Sequence, residues 1–192
     1  MQSYAYFPSI VYRDERPELA DTAKGVCLHH LNTVRESGWP MCQSGPLVDV
    51  FELEGIVSYL LSESKEILRT QGYDGDKYEL YVSELWAQET TRGAATDVHL
   101  HKNSQICGWL FLEAPEKGAY PIYYDSRTLK SMVELAFIQG TEIVNATNAI
   151  HFSDVIPGTV LFGNSWMRHQ LVSGDSEKPT RCLHFIVSHR EK

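Results

Sequence analysis

Apolar residues recur three and four positions apart in the first third of the chain, the spacing of a helix with one buried face. Leu19, Ala23, Val26, Cys27, His30, Leu31 and Val34 follow this period, after a short apolar stretch from Tyr4 to Tyr12. Asp14-Glu-Arg-Pro17 opens the run with acidic residues and an early proline, and Gly38-Trp-Pro40 stops it. Beyond Gly45-Pro46 the period returns in Leu53, Ile56, Val57, Leu60, Ile67 and Leu68, so a second amphipathic helix is expected, closed near Gly72. From Tyr78 onward the pattern shortens to segments rich in β-branched and aromatic residues between Gly, Pro, Asn and Asp turns. Strands are expected near 78–89, 95–101, 105–113, 119–124, 142–146, 149–153, 159–163, 167–172 and 180–188, with a short helix at Leu129 to Phe137. So many short strands predict a mainly β sandwich or barrel, and the N-terminal helices are expected to pack on one outer face of it.

Composition narrows the class. The 192 residues are 43% hydrophobic and 22% charged, the balance of a globular chain with one buried core. A single domain is expected over 1–192, with a helical part at about 1–76 and a β core at about 77–190. No apolar run reaches the roughly 18 residues of a membrane span, and the N-terminus lacks the pattern of a secretory signal, so a cytoplasmic location is expected. Cys27, Cys42, Cys107 and Cys182 are scattered without a Cys-x-x-Cys pair, which predicts reduced and mostly buried thiols. The formal charge is −8, and the 17 basic residues form no stripe, so no nucleic-acid partner is expected.

Chemistry concentrates in two stretches. In Thr96-Asp-Val-His-Leu-His101, strand alternation projects Asp97, His99 and His101 to one side, where two imidazoles one pleat apart reach a common metal ion. His-x-His alone is equally compatible with a surface strand. The second stretch runs from Pro157-Gly158 through His169 to Arg181, which opens the last strand. A late strand beside an early one brings His169 to the pair. Arg181 shares its strand face with Leu183 and Phe185, which reads as an inward side, although a surface pair with Asp175 or Glu177 is the alternative. His151 and His184 are the rival ligands; His184 points away from Arg181 and is ranked lower for it. Trp109, Phe111, Phe162 and Trp166 read as core packing.

These stretches together resemble the 2-oxoglutarate and iron(II)-dependent oxygenase superfamily, in its bacterial and bacteriophage His-x-His branch of prolyl-hydroxylase-like proteins. The resemblance rests on His99-Leu-His101-Lys-Asn-Ser104, Cys107-Gly108-Trp-Leu-Phe111, Tyr124-Asp-Ser-Arg127 and the segment 157–169, and it spans roughly residues 78–188. It implies a double-stranded β-helix, a jelly roll of cupin-like form, in which His99, His101 and His169 bind Fe(II). Arg181 would pair with the outer carboxylate of 2-oxoglutarate, and Tyr124 would assist. From the residues themselves, Tyr123, Arg127 and Asn103 are candidates for the substrate rim, with a turn at Asp125-Ser126 and Arg127 paired to a nearby acid as an equal alternative. Where most of the superfamily has an acid as second ligand this chain has His101, so Asp97 stands either as an alternative ligand or as a partner orienting a ligating histidine. Leu110 and Phe111 replace the tyrosines of the related pattern. The implied activity is hydroxylation or another oxidation of a peptidyl or small-molecule substrate by O2, with release of succinate and CO2. Two alternatives remain at this point: a cupin-like three-histidine enzyme without 2-oxoglutarate, such as a thiol dioxygenase or isomerase, and a metal- or ligand-binding module without turnover.

Overall fold

The computed structural model describes residues 2, 9–36, 38–127 and 149–192. The expected strand at 142–146 and the helix at Leu129 to Phe137 lie outside them. Among the described residues nine strands form two antiparallel sheets. The larger contains β1 (Val11–Glu15), β2 (Met41–Gln43), β3 (Tyr78–Thr90), β4 (Ile106–Glu113), β7 (Thr159–Asn164) and β9 (Thr180–Glu191), in the order β1-β7-β4-β9-β3-β2. The smaller has the order β6-β5-β8, from β5 (Tyr120–Tyr124), β6 (Ala149–His151) and β8 (His169–Val172).

Two helices cover the outer face of the larger sheet. In α1 (Pro17–Val34), proline occupies the first turn, where its missing N–H costs nothing, and Ala20, Ala23, Cys27 and Leu31 form the buried stripe. The stripe of α2 (Glu54–Thr70) is Ile56, Leu60, Ser64, Ile67 and Leu68. Both lie within a residue or two of their expected bounds. Among the described residues no helix is long and apolar enough to cross a membrane.

The middle of the larger sheet is therefore covered on both faces, and it separates two cores. Leu85, Ala87, Leu110, Leu112, Leu183, Phe185 and Val187 pack outward with the helices. Trp109, Phe111, Leu161 and Cys182 point the other way and meet Tyr123, Met167 and Leu171 from the smaller sheet side. This is the expected jelly roll with its helices on one side. All four cysteines are free thiols, and only Cys42 is not buried.

Candidate metal centre

The segment expected as a strand at 95–101 is extended but irregular. It is tied to the chain around β8 by single bridges, Ala95 to Val172 and His99 to His169. Thr96 fixes the segment twice, its N–H donating to the Leu171 carbonyl and its Oγ1 accepting from the Leu171 N–H, each at 2.9 Å. The His101 N–H donates to the Ser165 carbonyl at 2.9 Å. These backbone bonds set His99 directly opposite His169, with His101 two residues on.

The three imidazoles converge. One ligand nitrogen from each of His99, His101 and His169 lies within 4.8 Å of the other two, and this is the single such group among the described residues. His101 Nε2 and His169 Nε2 are 3.2 Å apart. Bonds of about 2.1 Å at right angles put neighbouring nitrogens about 3 Å apart, so the His101–His169 pair already has the spacing of two ligands on one metal ion. His99 Nδ1 lies 2.7 Å from the Asp97 carbonyl and His169 Nδ1 lies 2.8 Å from the Met167 carbonyl. A carbonyl only accepts, so each Nδ1 carries the proton and each Nε2 lone pair is left for a metal. Burial, aided by the His99 ring, lowers the pKa of His101 to about 4. Burial likewise lowers that of His169 to about 3, which keeps both rings neutral, the form that ligates. Among the described residues no carboxylate belongs to the cluster. Asp97 is exposed, and the contact it makes to the cluster is through its backbone carbonyl.

The surroundings are aromatic. Trp109 packs edge-on against His169 at 5.3 Å and against His184 at 5.2 Å, and Tyr123 lies 5.7 Å from His169. Gly163 makes room for that tyrosine, since a Cβ there would come within 2.7 Å of its ring. The Cys107 thiol is 4.0 Å from His169 Nε2.

The structure departs from the expected site at several residues. Arg181 is on the helix-covered face of β9 and not in the barrel. Its guanidinium pairs with Glu89 at 2.6 Å and with Glu113, while Arg35 holds Glu89 at 2.6 Å and Lys24 holds Glu113 at 2.7 Å. The face it shares with Leu183 and Phe185 is apolar because the helices cover it. Tyr124 points to the outer side of the smaller sheet, where its hydroxyl accepts from Gln170 Nε2. Its neighbour Tyr123 is the interior tyrosine and is buried, so it forms no rim. Arg127 is exposed and bound to Asp125 two residues back. Asn103 is an exposed turn residue at φ 59°, a conformation asparagine tolerates well. His151 is exposed against Tyr120, away from the triad. Trp166 is exposed, whereas Trp109, Phe111 and Phe162 are core residues.

His184 is the residue that sequence reasoning passed over. It does point away from Arg181, and that direction is the barrel interior. It is 3% exposed, stacked on Trp86 at 4.5 Å between centroids and 5.3 Å from His101. Neither of its nitrogens has a protein partner among the described residues, and Trp86 Nε1, Trp109 Nε1 and the Tyr123 hydroxyl are also buried without one. Each such group costs about 1–3 kcal/mol when left unsatisfied. Burial, with His101, His169 and His99 nearby, pushes the His184 pKa well below its ordinary value. Beside the triad lies a cavity of about 180 Å³, with Gln43, Gln88, Thr96, His99 and His184 as its polar lining and Trp86, Trp109 and Leu171 as the rest.

Comparison with known proteins gives a consistent result. The family model described as "Putative 2OG-Fe(II) oxygenase" matches residues 84–185. No sequence among curated proteins matches the chain at a significant level. Among solved structures, a Pseudomonas putida prolyl-4-hydroxylase is similar at TM-score 0.60 and 10% identity, over 93% of this chain and 92% of that one. The alpha-ketoglutarate-dependent epimerase SnoN from nogalamycin biosynthesis is similar at TM-score 0.59 and 9% identity, over 94% and 76%. HygX from Streptomyces hygroscopicus, solved with nickel and 2-oxoglutarate bound, is similar at TM-score 0.56 and 12% identity, over 94% and 83%. At these identities the structural likeness shows a shared fold.

Proposed function

Since the chain belongs to the 2OG-Fe(II) oxygenase family, we propose that it is an oxygenase whose iron is held by His99, His101 and His169, and that it hydroxylates an unactivated carbon of a peptidyl or small-molecule substrate. The observation that carries this reading is the convergence of three ligand nitrogens within 4.8 Å on the inner side of the jelly roll. Iron(II) and 2-oxoglutarate, when bound, supply the oxidising chemistry, in which R–H, 2-oxoglutarate and O2 give R–OH, succinate and CO2. The family favours this over a cupin-like site that works without 2-oxoglutarate.

The protein's own part is positional. The Asp97 and Met167 carbonyls fix the tautomers of His99 and His169, so the ligand set is ready before metal arrives. Three neutral imidazoles leave the full charge of a divalent ion uncompensated, which favours anionic ligands at its other positions. Trp109 and Tyr123 wall the triad from the core side and keep bulk water from it.

The reading is tested by reconstituting the protein anaerobically with Fe(II), adding 2-oxoglutarate and O2, and measuring succinate. Slow succinate formation without substrate is expected, abolished in His169→Ala and accelerated by the true substrate when peptides and metabolites are screened. Stoichiometric iron binding with no consumption of 2-oxoglutarate would overturn it.

A further inference from the structure

Among the described residues, the cavity beside the triad is lined by no lysine or arginine. The guanidinium nearest in sequence logic, Arg181, is consumed by Glu89 and Glu113 on the opposite face of the sheet. A dicarboxylate chelated at the metal by its 2-oxo end still has a second, negatively charged end to place. What the cavity offers instead is a set of ring nitrogens without a protein partner among the described residues. His184 is 3% exposed with both nitrogens unpartnered, and the indole N–H groups of Trp86 and Trp109 are buried and equally unpartnered. All three rings line the cavity, and Gln43 and Gln88 carry amides in the same wall. Trp86 stacks on His184 at 4.5 Å and Trp109 meets it edge-on at 5.2 Å, so the imidazole is held in place before any ligand enters.

We propose that this cavity is the seat of the far carboxylate of 2-oxoglutarate, and that the carboxylate is recognised by neutral ring N–H donors, His184 first among them, in place of a guanidinium. The inference rests on the reading that the three histidines hold the iron. A carboxylate has about four acceptor sites, and hydrogen bonds to an ionised acceptor are roughly twice as strong as neutral ones. Neutral imidazole has one N–H to give, and each indole has one. The cavity volume of about 180 Å³ suits a few carbon atoms and a carboxylate, not a larger group. The carboxylate then supplies acceptors that no described protein group supplies to those donors.

The test compares two acids with the same chelating end, 2-oxoglutarate and 2-oxopentanoate, which lacks the far carboxylate. Each is titrated anaerobically into the Fe(II)-loaded full-length protein and followed by the visible charge-transfer band of the chelate, so turnover is not needed. The wild type is expected to bind 2-oxoglutarate at least about tenfold more tightly than 2-oxopentanoate. His184→Leu should bring that ratio close to one while leaving iron content and 2-oxopentanoate affinity unchanged, and Arg181→Met should preserve it. Trp86→Phe keeps the ring and removes only the N–H, so it decides the matter if His184→Leu fails to fold; it should reduce the ratio severalfold. A ratio that survives in His184→Leu and Trp86→Phe, or that collapses in Arg181→Met, would overturn the proposal. If iron binds to the wild type but neither acid gives a band, the reading of the site as a 2-oxoglutarate oxygenase fails, and this inference fails with it.

Discussion

Replacing Arg181 by methionine keeps the packed stem and removes the charge from a chain of five alternating side chains, Arg35, Glu89, Arg181, Glu113 and Lys24. The magnitude follows from burial and from what the acids retain. Breaking a fully buried pair costs about 3–5 kcal/mol because a charge is stranded, whereas an exposed pair contributes about 0–1 kcal/mol. The Arg181 side chain is 20% exposed, and after its removal Glu89 still has Arg35 and Glu113 still has Lys24. The loss should therefore be about 2 kcal/mol, between those limits. For a domain of this size that corresponds to a fall in Tm of about 4–8 °C. Differential scanning calorimetry reads the fall, and the anaerobic chelate titration reads cosubstrate affinity on the same sample. An unchanged Tm with a large loss of 2-oxoglutarate affinity would refute the placement of this guanidinium as a structural clamp.

Three further outcomes are expected. Gly108→Ala should destabilise by about 3 kcal/mol or leave the protein insoluble, because its Cβ would lie 1.8 Å from the Leu161 carbonyl oxygen, and β4 is pinned between β7 and β9; a wild-type Tm would contradict the strand packing. His101→Ala and His169→Ala should each purify with iron far below one per chain while keeping the wild-type circular dichroism, and full occupancy in either would remove that residue from the ligand set. Burial alone would raise the Glu113 pKa, but hydrogen bonds from Lys24 and Arg181 prevail and hold it below its ordinary value. Its contribution is thus present above the unfolded value and lost as pH falls through the folded one, so the gap in urea midpoint between wild type and Glu113→Gln should shrink as pH drops below about 4.5; a gap independent of pH would contradict this.

The triad was legible because each step toward it is local. His99 and His101 are two apart in an extended segment, and a Pro-Gly turn followed by a late strand supplies His169. Arg181 was assigned to the wrong face of the sheet for a reason specific to β9. Alternation correctly put Arg181 and His184 on opposite faces, but both faces of that strand are buried, one by helices and one by the second sheet. Apolar neighbours therefore cannot say which face is the barrel. Tyr123 and Tyr124 pose the same ambiguity, since Ile122 on the outer side is also buried. The strand β1 escaped notice because its end, Asp14-Glu15, reads as the acidic start of the following helix, and β2 because it is three residues long and follows closely on Gly38-Trp-Pro40. A salt network such as that of Arg181 and Glu89 joins residues 92 positions apart and leaves no local mark in the sequence.

The account turns on how many imidazoles surround the iron. X-ray absorption spectroscopy of the anaerobic Fe(II) protein counts them directly from the multiple scattering of the rings. Three histidine rings in the wild type, and two in whatever fraction of His101→Ala retains iron, are the predicted result. A wild-type spectrum fitted by one ring, or by carboxylate oxygens in place of His101, would contradict the proposed centre.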